Sequence, residues 1–342
     1  SRKEIHMTPP ILAELTRAGV PESLHRGWIA VARGDGSLVA HVGDPERLTF
    51  ARSAMKPFQA IPVVESGAVD RFGFGDAELS ICCGSHKGEQ RHRDTVRGML
   101  ERVGQPATAL LGAIDPPWRF ELMKLAEAGE ETEQRLGQNC SGKHAGMVAT
   151  CVASGYSLDT YDDLDHPHQE NIRTIVSRFW EVPETELIAG RDNCTLPAYA
   201  APIRAIAIGW ARIADPSLAP EQHRAAITRI ADAMGREPFM VAGTDTLNTI
   251  LMEVTDGRIL AKDGAEGVLC MAVRDKGLGI TFKIEDGSFR SHGVIALRLL
   301  AELDALSADE HNQLSAAFTE RITSNRDHYV GDMRAVFEME RL

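Results

Sequence analysis

Apolar and polar positions follow two different rhythms along the chain. Near the start, WIAVAR and LVAHV (28–33 and 38–42) are short apolar-rich runs around Gly34-Asp35-Gly36, which predicts a β-hairpin. FARSAMKPFQAIPVVESG (50–67) follows. Ile61, Val63 and Val64 extend a helical face, Gly67 supplies a stop, and Pro57 is tolerated in a first turn, so a helix is predicted from near Ser53. The middle, roughly 88–240, reads as mostly helical. HRDTVRGMLERVG, HPHQENIRTIVSRFW and EQHRAAITRIADAMG place apolar residues three and four apart, and Ile227, Ile230 and Met234 share one face. Strands are expected again at the end. ILMEV-TDGR-ILAK (250–262) reads as a hairpin with an Asp-Gly turn, and GVLCMAVR with LGITFKI (267–284) as another around Asp275-Lys276-Gly277. GVIALRLLAELDAL (293–306) is an amphipathic helix with Val294, Leu297, Leu300 and Leu303 in register.

Strands therefore open and close the chain, and helices fill the middle. Hairpins dominate, so the expected class is α+β, with a largely antiparallel sheet flanked by helices and a helical subdomain. Residues 1–342 would form a single unit, with the sheet in about 20–70 and 245–335 and the helical part in about 75–240. A doubly wound nucleotide fold would instead alternate strand and helix throughout.

Composition narrows the partners. Hydrophobic residues make up 43% of 342, enough for a sizeable core. A net charge of −12 argues against nucleic acid, whose phosphates need basic surface. The basic residues are scattered, which argues against a membrane surface. Six cysteines are too sparse for a disulfide framework. SRKEIHMTPPILAELTRAG has no apolar core of signal-peptide length, and AYAAPIRAIAIGWARIA is interrupted by Arg204 and Arg212. The expectation is a cytoplasmic protein with reduced thiols.

Two motifs invite chemistry. GQNCSGKH (137–144) is close to a phosphate-binding loop, but His144 stands where Ser or Thr would hold magnesium, and the preceding EAGEETEQRLGQ is too polar for a buried strand. A glycine turn leading into the helix HAGMVATCVAS accounts for its shape and leaves Cys140 and Lys143 unexplained. In Ser53-Ala-Met-Lys56 the hydroxyl and amine lie one helical turn apart. A desolvated lysine can take a serine proton, because burial lowers its pKa. S-x-x-K alone is a weak signal. Its company strengthens it: Gly84-Ser85-His86 and then Lys262-Asp263-Gly264 follow the order of penicillin-recognising enzymes, although Asp263 replaces the threonine of K-T-G and Lys87 the asparagine after the second serine.

SAMKPFQ, CCGSHKGE, NCSGKHAGM, DNCTLPA and AKDGAEG, in that order, resemble the rhizobial-type L-asparaginases over about residues 20–335. The resemblance implies a fold similar to serine β-lactamases and serine-dependent glutaminases. It also implies hydrolysis of L-asparagine to L-aspartate and ammonia, a homodimer, and two serine–lysine pairs beside a zinc site. Carried onto this chain, Ser53 and Lys56 form one catalytic pair and Ser85 and Lys262 the other. Cys140, Lys143 and Cys194 would ligate one zinc per chain, which positions substrate rather than generating the nucleophile. His144, Asp192 and Gly264 would lie on the substrate side. Thiolate is an ordinary zinc ligand, whereas lysine must first lose a proton at a cost of about 4–5 kcal/mol at neutral pH, which a dication offsets.

The residues alone leave other readings open. Cys140 and Cys194 read equally as buried structural thiols. A glutaminase, β-lactamase or peptidase of the same fold, and a non-enzymatic zinc- or nucleotide-binding protein, are the alternatives. VAGTDTLNTILM (241–252) departs from the resemblance, since a cysteine is expected there and none is present. LDHPHQE (164–170) offers His166, His168 and Glu170 to a metal, but reads first as a helix start with Pro167 in its first turn and Asp165 or His166 capping. Cys82-Cys83 reads as a buried strand end rather than a redox pair.

Overall fold

Successive hairpins begin the sheet. β1 (Ile11–Arg17) turns through Ala18-Gly19 into β2 (Val20–Arg33), and β2 turns into β3 (Leu38–Val42). The computed structural model describes residues 8–112, 114, 130–318 and 321–342. β4 (Leu48–Phe50), β5 (Ile188–Arg191) and β6 (Pro197–Pro202) form a separate small sheet in the order β4-β6-β5. β7 (Ile259–Gly264), β8 (Val268–Val273) and β9 (Leu278–Ile284) return to the first sheet, followed by β10 (Arg321–Thr323), β11 (Tyr329–Ala335) and β12 (Glu340–Arg341). Among the described residues the large sheet runs β10-β11-β1-β2-β9-β8-β7, with β3 on β2 and β12 on β3. The strand pairings are antiparallel, as the hairpins require. The α+β class follows directly.

Helices cover both faces of this sheet. β8 is buried at every position, which explains its unbroken apolar run. On one face the helix Ile203–Ala214 lies across β2 and β9, over Ala30, Ala32 and Gly279. These small residues allow the close approach: a Cβ on Gly279 would stand 2.0 Å from the Ala207 carbonyl oxygen. On the other face, Leu251, Leu299 and Leu314 of the helices Leu247–Val254, His292–Glu302 and Ala308–Phe318 pack with Ile29, Val31 and Phe282. The larger helical core gathers Phe58, Phe179 and Trp180, with the Phe58 and Phe179 rings 5.2 Å apart.

The hairpins at 28–42 and 267–284 form as the pattern predicts, and so do the helices Gln90–Val103, Pro167–Trp180 and Arg224–Arg236. His166 caps the second of these by accepting the His168 N–H. Three expectations need correction. The stretch 50–67 is a 3-10 turn (Arg52–Met55) followed by two short helices, Lys56–Gln59 and Ile61–Glu65, because Pro57 and Pro62 each restart the backbone. ILMEV is not a strand. Thr246 caps the helix Leu247–Val254 through the Thr249 N–H, so Asp256-Gly257 turns from a helix into β7 rather than closing a hairpin. Cys82 ends the helix Asp76–Cys82 instead of a strand. No described helix is long and apolar enough to cross a membrane.

Gly279→Ala is expected to lower stability by about 1–3 kcal/mol or more, since the added methyl can only be housed by pushing a helix off the sheet. A urea midpoint equal to that of the unaltered protein would contradict this packing.

Candidate active site

The small sheet delivers Ser53. β4 ends at Phe50, and Arg52 then takes φ +51°, an uncommon left-handed conformation for a residue with a Cβ. Three contacts hold the turn. Arg52 Nη2 donates to Asp192 Oδ1 at 2.8 Å, and Trp210 Nε1 donates to the Ala54 carbonyl at 3.2 Å. The third is steric: a Cβ on Gly264 would lie 2.5 Å from the Ala51 carbonyl oxygen. Glycine at 264 thus lets the end of β7, with Lys262, close onto the serine turn. Burial alone would raise the Asp192 carboxyl, but Arg52 and Lys143 outweigh it and bring it down to about 2.

Lys56 lies fully buried at the centre. Its Nζ donates to the Gly84 carbonyl, to Ser85 Oγ at 2.9 Å and to Cys140 Sγ at 3.2 Å. Burial pulls its pKa down to about 8, and neighbouring Lys143 and Lys262 add to this against the opposing pull of Cys140. The Ser53 hydroxyl, one turn before it, makes no hydrogen bond to this amine. Lys262 Nζ donates instead to the Asp263 carbonyl at 2.7 Å and to Asp263 Oδ1 at 2.6 Å. The structure therefore joins Ser85 to Lys56, where the sequence comparison pairs Ser85 with Lys262. The reason is competition: a carboxylate outbids a neutral hydroxyl for an ammonium group.

The loop carrying Ser85 is tied down on both sides. Ser85 N–H donates to the Val241 carbonyl at 2.8 Å. His86 accepts the Gly88 N–H at Nδ1 (3.1 Å), so its Nε2–H donates to Ser141 Oγ (3.1 Å), whose own proton goes to the Leu136 carbonyl (2.6 Å). The rings of His86, His92 and Phe239 stack at 4.6 and 4.5 Å.

GQNCSGKH joins the helix Glu131–Gly137 to the helix Ser141–Ser154. Its glycines serve packing. A Cβ on Gly142 would meet the Ile81 carbonyl oxygen at 2.5 Å, and Gly88 and Gly137 touch backbone to backbone. Cys140, Lys143 and Cys194 are all buried, and Lys143 Nζ lies 3.1 Å from Cys194 Sγ. The Cys140 thiol and Lys143, against the cost of burial, shift the Cys194 thiol well below its ordinary value. Cys140 itself is pushed up to about 12 by Cys194 and by burial. Burial would lower Lys143, but the two sulfurs and Asp192 keep it above its ordinary value. Among the described residues no group of three or more His, Cys, Asp or Glu side chains could hold a metal ion. The present set reaches three donors only through a lysine. Two sulfurs and an amine already in mutual contact do fit a zinc ion that displaces their shared protons.

His144 lies beyond Lys143, fully buried. Tyr161 Oη accepts the Leu111 N–H at 2.9 Å, so it donates its own proton to His144 Nδ1 at 2.6 Å. The imidazole is thereby fixed as the Nε2–H form, and that nitrogen has no hydrogen-bond partner among the described residues. Burial pushes its pKa down to about 3. Sequence reasoning missed Arg52, Tyr161 and Asn248. Only Arg52, adjoining a motif, left any signal.

A family model described as L-asparaginase II matches residues 13–335. No curated protein matches the chain. Among solved structures, Mglu in its native form is 18% identical over 82% of this chain and 65% of that chain, with a TM-score of 0.37. The chain thus spans slightly less than two thirds of that structure's length. A penicillin-binding protein homolog from Caulobacter crescentus is 13% identical over 76% of this chain and 86% of that chain (TM-score 0.38). A Bacillus glutaminase is 12% identical over 82% of this chain and 91% of that chain (TM-score 0.35).

The buried histidines set an acid limit. Burial drives His86 well below its ordinary value, His144 and His168 to about 3, and His292 to about 4. The unfolded chain binds protons at these sites below pH of about 6.5 while the folded chain does not. Stability should therefore fall as pH drops from about 6.5 towards 4, by roughly 1.4 kcal/mol per pH unit for each such histidine. Thermal melts between pH 5 and 8 measure this, and a flat profile would refute it.

Proposed function

The chain belongs to the L-asparaginase II family, and from that premise we propose that it is an amidohydrolase releasing ammonia from L-asparagine through a serine acyl-enzyme. One observation carries the mechanism: a fully buried Lys56 follows Ser53 by one turn and hydrogen-bonds Ser85 at 2.9 Å. Ser53 Oγ attacks the side-chain carboxamide carbon, and neutral Lys56 takes its proton. The Lys56–Ser85 hydrogen bond is the next step of the proton path, which ends on the departing ammonia. Backbone N–H groups at the serine turn, Ser53's own included, hold the oxyanion. Water then attacks the ester, and aspartate leaves.

Lys262 supplies a cation beside this path. Cys140, Lys143 and Cys194 would hold zinc, which when bound supplies a fixed positive centre next to the pocket. Asp192, paired with Arg52, and the Nε2–H of His144 give this reading its polar substrate contacts. The homodimer and the cytoplasmic setting belong to the same proposal. A second reading has Ser85 acylated, and it is favoured by the direct bond from Ser85 to Lys56.

In a coupled ammonia assay on asparagine, with glutamine and nitrocefin as competitors for the assignment, Ser53→Ala and Lys56→Ala should each lose about a hundredfold or more. The Ser53/Ser85 double variant should be little worse than the more damaged single one, since the groups act as one unit. Near-normal turnover in folded Ser53→Ala, with an acyl adduct mapped to Ser85, would move the nucleophile to Ser85.

Protein purified without chelators should contain about one zinc per chain. The ion should be lost on Cys140→Ala, and its pH dependence should flatten in Lys143→Met, because lysine ligates only when neutral. Elemental analysis that finds no zinc, and none taken up on addition, would return Cys140 and Cys194 to structural thiols.

A further inference from the structure

β7 ends the large sheet, so its outer edge has no strand partner among the described residues. Side chains alternate along it. Leu260 packs into the helical core, and Ile259 and Ala261 into the core on the opposite face. Lys262 starts on the Leu260 side and Asp263 on the other. The ammonium nevertheless reaches the carboxylate of the next residue, 2.6 Å away. The side chain of Lys262 is completely buried, and Asp263 accepts its described side-chain hydrogen bonds.

The carboxylate is itself braced. Asn248, buried on the helix Leu247–Val254, donates from Nδ2 to the same Asp263 Oδ1 at 2.5 Å. Its Oδ1 is buried without a partner, so the amide is oriented by Asp263. A flipped amide would set oxygen against carboxylate. Lys262 faces Lys56, Cys83, His86 and Cys270 besides Asp263, while Asp263 faces His292 and Asn248 besides Lys262. Lys56 differs from Lys262 in its acceptors, which are a carbonyl, a hydroxyl and a sulfur.

We propose that Asp263, braced by Asn248, is a positioning residue that anchors the Lys262 ammonium at the end of β7 and so fixes Lys262 as the cationic member of the neighbouring lysines Lys56 and Lys262. Its catalytic consequence rests on the amidohydrolase reading above. With Lys262 held as a cation, proton abstraction is left to Lys56, and Lys262 stabilises the developing negative charge without giving up its proton. The step needs no co-reactant, because the proton that Lys56 takes from the serine is passed through Ser85 to the leaving NH2 group, which departs as ammonia when the C–N bond breaks. The charge relation between Lys262 and Asp263 is independent of substrate.

Two readouts separate these layers. In protein labelled with 13C and 15N at the lysine side-chain termini, the Lys262 resonance is identified by its absence in Lys262→Met. Asp263→Asn should lower the Lys262 titration midpoint by at least about one pH unit, and Asn248→Ala by less, as expected for losing or loosening an adjacent opposite charge. An unchanged midpoint in Asp263→Asn overturns the proposal, and if that variant fails to fold, an unchanged midpoint in Asn248→Ala does so. On asparagine, Asp263→Asn should lose about tenfold or more in kcat with KM changed less than about threefold, and Asp263→Glu should restore part of the loss. Introduced into Lys262→Met, Asp263→Asn should cost little further. Equal losses in both backgrounds would mean that Asp263 acts on the fold alone, which also overturns the proposal. If the unaltered protein hydrolyses no asparagine, the amidohydrolase reading fails, while the titration still decides the role of Asp263.

Discussion

Three buried lysines, Lys56, Lys143 and Lys262, must each be reconciled with the loss of water, and the site depends on how unequally this is done. Lys143 lies 3.1 Å from the Cys194 sulfur, and Lys262 lies 2.6 Å from the Asp263 carboxylate. Both have an anionic partner that favours the charged amine. Lys56 hydrogen-bonds no carboxylate. Burial and its two charged neighbours then favour losing its proton, and its pKa falls to about 8. On the amidohydrolase reading, the general base is the amine that hydrogen-bonds no carboxylate among the described residues.

This inequality requires distances that only close backbone contacts can set. Gly264 admits the Ala51 carbonyl and brings β7 to the serine turn, and Gly142 admits Ile81 and brings the cysteine loop to the Ser85 loop. Gly88 against Gly137 closes the same seam from the other side. A methyl group at Gly264 would separate the elements that carry Lys56 and Lys262, and one at Gly142 or Gly88 would separate the Lys143 loop from the Ser85 loop. The strained Arg52 belongs to the same set, since its left-handed backbone begins the turn that carries Ser53 and its guanidinium is held by Asp192.

Much of the chemistry was legible because it lies in short motifs with fixed spacing. Lys56 hydrogen-bonds Ser85 and Cys140, and Lys143 hydrogen-bonds Cys194, across 29, 84 and 51 residues of sequence. Partner choice was not legible. That Lys56 bonds Ser85 while Lys262 bends back to Asp263 depends on which acceptor is charged, and no spacing rule encodes it. The hairpins at 28–42 and 267–284 were readable from period and turn residues. ILMEV misled because β-branched and apolar residues also suit a buried helix, and the cap that decides the matter, Thr246, lies outside the apolar run. The short strands β4, β5 and β6 were hidden because few residues separate them from turns, although they carry Ser53 and Cys194 to the site.

The same burial that lowers the Lys56 pKa also constrains the histidines around it. A pocket able to lower a lysine to about 8 leaves little room for imidazolium, and His86 and His144 are held neutral by burial and by the same lysine charges. Each is then useful only as a neutral hydrogen-bonding group whose tautomer is set from outside. The Gly88 N–H fixes His86, and Tyr161 fixes His144. Neutral histidines add no further positive charge beside Lys56. Had either been charged, the repulsion on Lys56 would deepen, and the cost would fall on the fold, which would have to hold another unpaired buried cation. The expected loss of stability in acid and the lowered Lys56 pKa are therefore two results of one arrangement, since both follow from burying amines and imidazoles together.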